Sequence, residues 1–255
     1  MNISLVQYDP KWEDAPHNFA RLEELLRPLS GKTDLIVLPE MFPTGFSMNV
    51  ERIAAHAADG RQWMLQQAKA TGAMTAGTMA TCVDRRCYNR FYWVAPDGNA
   101  GYYDKHHLFS MSEEAGRFSA GGERKRFSLM GWEIQPAVCY DLRFPAWCRN
   151  TRSRPYDLLV CAASWPAVRR DVWHTLLKAR ALENQCFVAG VNRTGTDGNG
   201  SAHHGGSTVY GPKGEIVGGV RDNEEGVATV CLSLQELHRF REKFPVLDDM
   251  DDVSF

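Results

Sequence analysis

Apolar residues near the start of the chain follow first a strand-like and then a helix-like pattern. Residues 3–8 form a short apolar segment that predicts a first strand. The next apolar positions recur with the period of an α-helix, at Phe19, Leu22, Leu26 and Leu29. Residues 35–38 are continuously apolar, which is typical of a strand buried on both faces. This order of strand, helix and strand predicts a parallel βαβ unit.

The later segments predict paired strands and a second strand–helix–strand unit. A Pro-Asp-Gly-Asn turn at residues 96–99 joins two apolar strands into a hairpin that leads to Lys105. The second unit has a strand, a helix and a strand at residues 157–163, 171–184 and 186–191. This mixture predicts two mixed β-sheets packed face to face with helices outside, in a single domain over residues 1–255.

The composition narrows the class of protein. Hydrophobic residues make up 44% and charged residues 24% of 255 residues, as in an ordinary globular protein. The net charge of −2 gives no reason to expect nucleic acid or an acidic membrane surface as a partner. The chain has seven cysteines and no Cys-x-x-Cys pair, so we expect reduced thiols in a cytoplasmic protein. No apolar run approaches the roughly 20 residues of a membrane-spanning helix.

Cys139 occupies a position that suits a nucleophile. An apolar run ends at this residue, and residues 142–149 predict a helix that begins just beyond it. A helix N-terminus stabilises negative charge and therefore favours a thiolate. The alternative is a small buried core residue, which is what most free cysteines are.

Two further groups follow strands in the same way. Glu40 comes directly after the buried strand at residues 35–38, and Lys105 follows the strand at residues 101–104. Strand ends share one rim of a sheet, so Glu40, Lys105 and Cys139 together would provide a base, a cation and a nucleophile. Individually, Glu40 could be a solvated carboxylate, and Lys105 could be a surface lysine paired with Asp104.

These stretches resemble the three catalytic blocks of the nitrilase, or carbon–nitrogen hydrolase, superfamily. The blocks are Leu-Pro-Glu-Met-Phe at 38–42, Tyr-Asp-Lys-His-His-Leu-Phe at 103–109 and Val-Cys-Tyr-Asp-Leu-Arg-Phe at 138–144. Three later segments resemble the omega-amidase branch, at residues 163–166, 179–185 and 192–199. The resemblance covers essentially the whole chain. It implies a four-layer αββα sandwich, commonly a homodimer, with Glu40, Lys105 and Cys139 as the catalytic triad.

The resemblance also implies a second glutamate shortly after the lysine. Glu113 and Glu114 both qualify, and alignment on Phe118 and Gly121 favours Glu114, with Glu113 as the fallback. We expect this glutamate to orient Lys105 and the substrate. Two carboxylates that share one lysine would titrate as a coupled group.

Four residues near these strand ends are expected to bind substrate. Tyr140 follows the nucleophile. The resemblance implies that Phe42, after Glu40, and Trp165, after the strand at residues 157–163, border the substrate pocket, although a tryptophan is more often a core residue. Arg143 could bind a substrate carboxylate with its planar guanidinium group, or pair with Asp141 or Glu183 as part of the scaffold. The backbone N–H of Tyr140 is a natural second oxyanion donor beside Lys105.

The sequence contains no motif typical of a metal site or a cofactor site. The chain has no His-Glu-x-x-His and no Gly-rich nucleotide fingerprint. The adjacent histidines His106–His107 and His203–His204 would point to opposite faces of a strand, so they are poor joint ligands. We therefore predict no metal and no cofactor.

The sequence predicts an amidase that attacks a small carboxamide with Cys139, forms a thioester and releases ammonia. The resemblance points to the omega-amide of a 2-oxo dicarboxylic acid, such as 2-oxoglutaramate or 2-oxosuccinamate. The enzymatic alternatives are a carbamoylase or a nitrilase with the same triad. The non-enzymatic alternative is a scaffold that has kept the fold and lost the chemistry.

Overall fold

The computed structural model describes residues 1–251 and contains two six-stranded sheets with helices outside them. Its strands are β1 (Asn2–Gln7), β2 (Leu35–Val37), β3 (Met74–Val83), β4 (Arg86–Val94), β5 (Ala100–Asp104), β6 (Phe127–Leu129), β7 (Trp132–Val138), β8 (Leu158–Ala163), β9 (Phe187–Asn192), β10 (Thr194–Thr196), β11 (Ala202–His204), β12 (Thr208–Tyr210), β13 (Ile216–Gly219) and β14 (Gly226–Cys231). The α-helices are α1 (Ala15–Leu26), α2 (Val50–Ala54), α3 (Ala57–Thr71), α4 (Glu114–Arg117), α5 (Pro145–Cys148), α6 (Arg170–Asn184) and α7 (Leu234–Lys243).

The strand order places the two predicted parallel units at the centres of the sheets. The first sheet runs β14-β1-β2-β3-β4-β5, with β1, β2 and β3 parallel. The second runs β13-β12-β9-β8-β7-β6, with β7, β8 and β9 parallel. Antiparallel hairpins complete both sheets, and β10 and β11 form a separate two-stranded ribbon. The predicted mixed sheets are therefore confirmed.

Three apolar clusters define four layers. The largest lies between the sheets and contains Leu5 and Val37 from one sheet with Val138 and Val160 from the other. A second cluster packs α1 and α3 against the outer face of the first sheet. A third packs α6 against the outer face of the second, with Trp173 fully buried. The αββα sandwich follows from strands that are apolar on both faces, because each face needs a covering layer.

Helix α7 has its own N-terminal cap and packs against the second sheet through its side chains. Ser233 caps α7 by accepting a hydrogen bond from the Glu236 N–H, as its sequence position predicts. Arg241 on α7 donates a hydrogen bond to the Asp157 carboxylate, at 2.8 Å, and further hydrogen bonds to the backbone carbonyl oxygens of Gln185 and Tyr156. None of the helices within residues 1–251 is long and apolar enough to cross a membrane. The prediction of one domain over residues 1–255 stays a prediction, and residues 252–255 lie outside the described part.

Two of the seven cysteines depart from the prediction of reduced thiols. Cys82 and Cys87 face each other across the tight β3–β4 hairpin and form a disulfide, with Cα atoms 4.0 Å apart. The expectation was wrong because it considered only Cys-x-x-Cys spacing, whereas a hairpin register brings residues five apart into direct opposition. The other five cysteines are free.

Candidate active site

Cys139 lies at a strained turn where the central strand β7 ends. Val138 is extended, whereas Cys139 has a φ of 43°, and a 3₁₀ helix runs from Cys139 to Arg143. A positive φ is uncommon for a residue with a side chain and marks positions where the surrounding structure imposes the geometry. The turn leaves the Cys139 side chain half-buried, with Sγ 4.0 Å from the Ser164 carbonyl oxygen.

The helix predicted at residues 142–149 is wrong. The 3₁₀ helix ends at Arg143, Phe144 is extended, and α5 has only four residues. Pro145 explains the break, because the residue before a proline is disfavoured in the helical region. Among the described residues no long helix begins beyond Cys139, so the helix N-terminus expected to favour a thiolate is missing. Burial, and next the Glu40 carboxylate, raise the pKa of Cys139 well above its ordinary value, and Lys105 only partly opposes them.

Asp141 holds this turn against the lysine loop. Its carboxylate is fully buried and accepts hydrogen bonds from the Tyr103 hydroxyl at 2.8 Å and from the Val138 N–H at 3.0 Å. It also accepts from the His107 N–H, at 2.8 Å. One carboxylate therefore links β5, the segment after Lys105 and the end of β7. The sequence analysis considered Asp141 only as a partner for Arg143 and missed this role.

Glu40 is a buried carboxylate rather than a solvated one. Its Oε1 accepts from Lys105 Nζ at 3.0 Å and from Asn89 Nδ2 at 2.7 Å, and its Oε2 accepts from the Ser164 N–H at 2.9 Å. The residue is 1% exposed. Burial raises the pKa of Glu40, while Lys105 lowers it and the nearby Glu114 raises it further. The net upward shift makes Glu40 a stronger base than an ordinary glutamate.

Lys105 is enclosed between two carboxylates. It follows β5, is 1% exposed, and its Nζ donates to Glu114 Oε1 and Oε2 at 2.8 and 2.9 Å as well as to Glu40. Burial alone would lower the pKa of Lys105, but Glu114 and Glu40 outweigh it, and the net shift is upward. The side chain is therefore a permanent cation near neutral pH. Asp104, the alternative partner, pairs with Arg90 instead.

The structure distinguishes the two candidate glutamates. Glu114 is fully buried on Lys105 and also accepts from the Phe109 N–H at 2.6 Å. Glu113 is 70% exposed and meets only Arg117, at 3.5 Å, on the surface. Asn89 on β4 connects the two buried carboxylates, because its Nδ2 donates to Glu40 and, at 3.3 Å, to Glu114. Asn89 was not predicted from the sequence, although asparagine is depleted in strands and its position within β4 was a usable signal.

A small cavity of about 170 Å³ opens onto Cys139 and Lys105. Three of the predicted substrate-binding residues line it, namely Tyr140, Arg143 and Trp165. Further lining residues that the sequence analysis did not find are Phe46, Phe109, Arg169, Asp197 and His203. The volume is below the roughly 300–1,000 Å³ of a site for drug-sized ligands. It therefore suits a small metabolite rather than a peptide.

Phe42 is not part of the cavity wall, and its predicted role in substrate binding was wrong. The ring is fully buried and packs against Phe19 and Trp63, with centroid distances of 6.4 and 5.5 Å. Met41, with a φ of 51°, turns the chain directly after Glu40. The side chain two residues beyond the carboxylate therefore enters the core between α1, α3 and the first sheet.

Two guanidinium groups face the cavity. Arg143 lies over the Trp165 ring, 4.9 Å from its centroid, and Arg169 lies 5.7 Å from the centroid of Phe109. Within residues 1–251 neither arginine has a carboxylate at ion-pair distance. Asp141 and Glu183, the scaffold partners considered for Arg143, are engaged elsewhere; Glu183 pairs with Arg180 at 2.9 Å. A buried aromatic wall with unpaired cations is suited to an anionic substrate.

Comparison with known proteins agrees with this geometry. The carbon-nitrogen hydrolase family model matches residues 2–242. The chain belongs to the carbon–nitrogen hydrolase family. It is 41% identical over 252 residues to "Omega-amidase YafV" of Escherichia coli (strain K12), covering 99% of this chain and 97% of that protein. It is 36% identical to "2-oxoglutaramate amidase" of Bacillus subtilis (strain 168), covering 97% and 96%.

A solved structure shows the same fold. XC1258 from Xanthomonas campestris, described as a CN-hydrolase superfamily protein with an arsenic adduct in the active site, superimposes with a TM-score of 0.97. The two chains are 40% identical, and the match covers 100% of this chain and 98% of that one. The chain is thus a carbon–nitrogen hydrolase with the αββα fold of its superfamily, as the resemblance implied.

Proposed function

We propose that this enzyme hydrolyses the omega-amide of a 2-oxo dicarboxylic acid, such as 2-oxoglutaramate or 2-oxosuccinamate, through a thioester on Cys139. The observation that carries the proposal is the buried cluster of Glu40, Lys105 and Glu114 beside Cys139. Lys105 and Cys139 face a small cavity that also presents two arginines without an ion-pair partner among residues 1–251. The names of the Escherichia coli and Bacillus subtilis relatives support the same substrate class.

Acylation requires Glu40 to act as a base, because burial and the Glu40 carboxylate raise the pKa of the Cys139 thiol. Glu40 takes the thiol proton as sulfur forms its bond to the amide carbon. The carbon–nitrogen bond then breaks, and the nitrogen leaves as ammonia with the proton that Glu40 returns. For deacylation, Glu40 takes a proton from water as the water attacks the thioester carbon. Cys139 leaves with that proton, and the product is a carboxylic acid.

The oxyanion of each tetrahedral intermediate lies between two donors. Lys105 supplies a fixed positive charge, and Glu114 and Glu40 hold its ammonium group in place. The Tyr140 N–H lies in the first turn of the 3₁₀ helix, where backbone donors have no partner within the helix. Such preorganised donors stabilise the developing charge without having to reorient during the reaction.

The far end of the substrate provides the specificity. A 2-oxo dicarboxylic monoamide carries a carboxylate that a simple aliphatic amide lacks, and Arg143 or Arg169 can bind it. The aromatic side chains of Tyr140, Phe109 and Trp165 confine the short carbon chain between them. Carbamoylase or nitrilase activity would use the same triad and is the enzymatic alternative.

Intact mass spectrometry during turnover tests the nucleophile. We expect a covalent acyl adduct on the wild-type chain and on Cys231→Ala, in which an exposed free thiol has been removed. Cys139→Ala should show no adduct and no ammonia release while remaining folded. An adduct that persists in Cys139→Ala would contradict the thioester, and a folded wild type without any turnover would favour the scaffold alternative.

Substitution of the arginines tests the substrate class. A hydrogen bond to a charged group contributes about 1.5–3 kcal/mol, which corresponds to roughly 10- to 150-fold in binding. Arg143→Met should therefore raise the KM for 2-oxoglutaramate by about that factor, with Arg169→Met as the parallel variant. Neither substitution should change the KM for a neutral aliphatic amide of similar length. Equal effects on both substrates would show that the arginines do not recognise the carboxylate.

We further propose a cytoplasmic homodimer, as the family resemblance implies. Several large apolar side chains are exposed on the surface, among them Ile216, Leu182 and Phe244. A subunit interface over these side chains would remove their apolar surface from water. Sedimentation of the wild type and of Ile216→Ser and Phe244→Ser variants tests it. A monomer at all concentrations for the wild type would contradict the dimer.

A further inference from the structure

A second cluster of reactive side chains lies behind the cavity wall. His174 on α6, His204 on β11 and Asp222 in the loop after β13 come together, and one donor atom from each lies within 4.8 Å of the others. The three segments are distant in sequence, so only the fold brings them together. Nothing in the proposed amidase mechanism uses them.

The two imidazoles lack the hydrogen-bond partners that buried rings normally have. His204 is 3% exposed, and neither of its ring nitrogens has a partner among residues 1–251. Nε2 of His174 is also buried and unpartnered, while its Nδ1 lies 3.2 Å from the Tyr210 hydroxyl. Buried polar atoms are almost always hydrogen-bonded, so unpartnered nitrogens in one place indicate that a binding partner is missing. The Tyr210 contact is the kind of support that orients a ligating histidine.

Two of these three unpartnered nitrogens, Nε2 of His204 and Nε2 of His174, lie beside the space above Gly206. A side-chain carbon on Gly206 would lie 2.5 Å from His204 Nε2 and 2.9 Å from His174 Nε2. The residue also has a φ of 70°, which a glycine adopts without strain. Any larger residue at this position would fill the point towards which the two nitrogens are directed.

We propose that His174, His204 and Asp222 bind a divalent transition-metal ion of the zinc class. Two imidazole nitrogens and one carboxylate oxygen are donors that favour zinc over magnesium or calcium. Tetrahedral zinc with bonds of about 2.0–2.1 Å separates its donors by about 3.4 Å, so the three atoms, now within 4.8 Å of one another, must approach by up to about 1.4 Å. The Asp222 side chain is 31% exposed in a loop and can make this movement.

Arg170 is the competitor for the carboxylate. Its Nε lies 2.8 Å from Asp222 Oδ2, and its side chain is half-exposed and also approaches Asp171, at 3.6 Å. A bound cation would displace this guanidinium group from Asp222. Loss of the Arg170 charge should therefore strengthen metal binding, whereas loss of the Asp222 charge should weaken it.

The ion would stabilise one wall of the active-site cavity. His203, the neighbour of His204, lines the cavity and lies 3.2 Å from Asp197 through its Nε2. The backbone carbonyl of His204 accepts from the Asn223 N–H at 2.7 Å. A metal ion would add a tie between the β10–β11 ribbon, α6 and the loop that carries Asp222. Its role is structural, at a distance from Cys139.

This proposal revises the sequence prediction of no metal. That prediction noted that adjacent histidines point to opposite faces of a strand, and they do here, with His203 towards the cavity and His204 towards the cluster. The partners of His204 come from other segments, which no local motif reveals.

Equilibrium dialysis with Zn²⁺ tests the site, on a chain in which Cys139→Ala and Cys231→Ala remove the accessible thiols. We expect one equivalent to bind. Zinc at 100 times its dissociation constant should raise the unfolding midpoint by roughly 5–10 °C. His204→Ala should weaken binding by about tenfold or more, since even supporting residues contribute about 10- to 100-fold. His17→Ala, at an exposed histidine elsewhere, is the matched control and should bind as before.

Two surface substitutions keep the test valid if His204→Ala fails to fold. Asp222→Asn should weaken zinc binding severalfold or more, and Arg170→Gln should strengthen it. If the Arg170–Asp222 ion pair has only a structural role, both variants should lose similar stability and should not change zinc affinity in opposite directions. Absence of uptake at micromolar zinc, equal affinity in His204→Ala and His17→Ala, or unchanged affinity in both surface variants would overturn the proposal.

Discussion

Replacement of Glu114 by glutamine tests the charge arrangement around Lys105. The Glu114 carboxylate accepts four hydrogen bonds, and every partner is a donor: Lys105 Nζ on both oxygens, Asn89 Nδ2 on Oε1 and the Phe109 N–H on Oε2. A glutamine must direct its NH₂ group at one of these two pairs of donors. Whichever orientation it takes, two hydrogen bonds are lost and donor faces donor.

The magnitude follows from the number and type of bonds lost. A hydrogen bond to a charged group contributes about 1.5–3 kcal/mol, so two such bonds correspond to about 3 kcal/mol or more of unfolding free energy. For a chain of this size that is a decrease of roughly 6–12 °C in the unfolding midpoint. Misplacement of Lys105, the oxyanion donor, should lower kcat by about 10²–10³.

The pH profile gives a readout that simple destabilisation would not change. The Glu114 charge helps to raise the pKa of Glu40, so its removal should move the acid limb of kcat/KM to lower pH. Glu113→Gln is the matched control, because this carboxylate is 70% exposed and meets only Arg117. It should leave turnover, midpoint and profile unchanged. Full activity in Glu114→Gln together with a loss in Glu113→Gln would refute the reasoning.

Three further predictions concern protonation and the disulfide. Glu40 must be ionised to act as a base, and its pKa is raised. As the pH decreases, kcat/KM should therefore begin to fall at a pH above the ordinary pKa of glutamate. An acidic limb of the pH profile at or below that pKa would contradict this. Cys139 should react slowly with iodoacetamide at neutral pH and faster through pH 9 and above, because its pKa is raised, whereas a rate independent of pH near 7 would indicate a resting thiolate. The Cys82–Cys87 disulfide closes a loop of only a few residues, so its reduction should cost about 2 kcal/mol of unfolding free energy. Differential scanning fluorimetry should show this loss of stability, and ammonia release should show unchanged turnover.

The sequence predicted the parts of the fold that depend on strand patterning. Strands that are apolar on both faces, as at residues 35–38 and 157–163, need covering layers. Together with the hairpins they predicted two mixed sheets packed face to face, and the family resemblance implied the four αββα layers. Glu40, Lys105 and Cys139 each follow the end of a predicted strand, which placed them on one rim, and the structure brings them together. Position relative to a strand end is a local property, which explains why it could be derived without the structure.

The remaining features depend on contacts between distant segments. Asn89 joins Glu40 to Glu114, and Asp141 joins the end of β7 to Tyr103. These partners are far apart in the sequence, and hydrophobic periodicity gives no information on such contacts. Phe42 was placed at the substrate pocket by the family resemblance, whereas the turn at Met41 directs its side chain into the core. The helix after Cys139 was predicted from composition, although Pro145 was in the sequence and disfavours a helical conformation at Phe144.

Ammonia release from 2-oxoglutaramate, compared with glutamine, a neutral aliphatic amide, an N-carbamoyl amino acid and a nitrile, tests the central claim most directly. The account predicts turnover of 2-oxoglutaramate far above the others by the wild type, and none by Cys139→Ala. Preference for the nitrile or the carbamoyl compound would retain the triad and contradict the proposed substrate class. Full ammonia release by Cys139→Ala would contradict the mechanism itself.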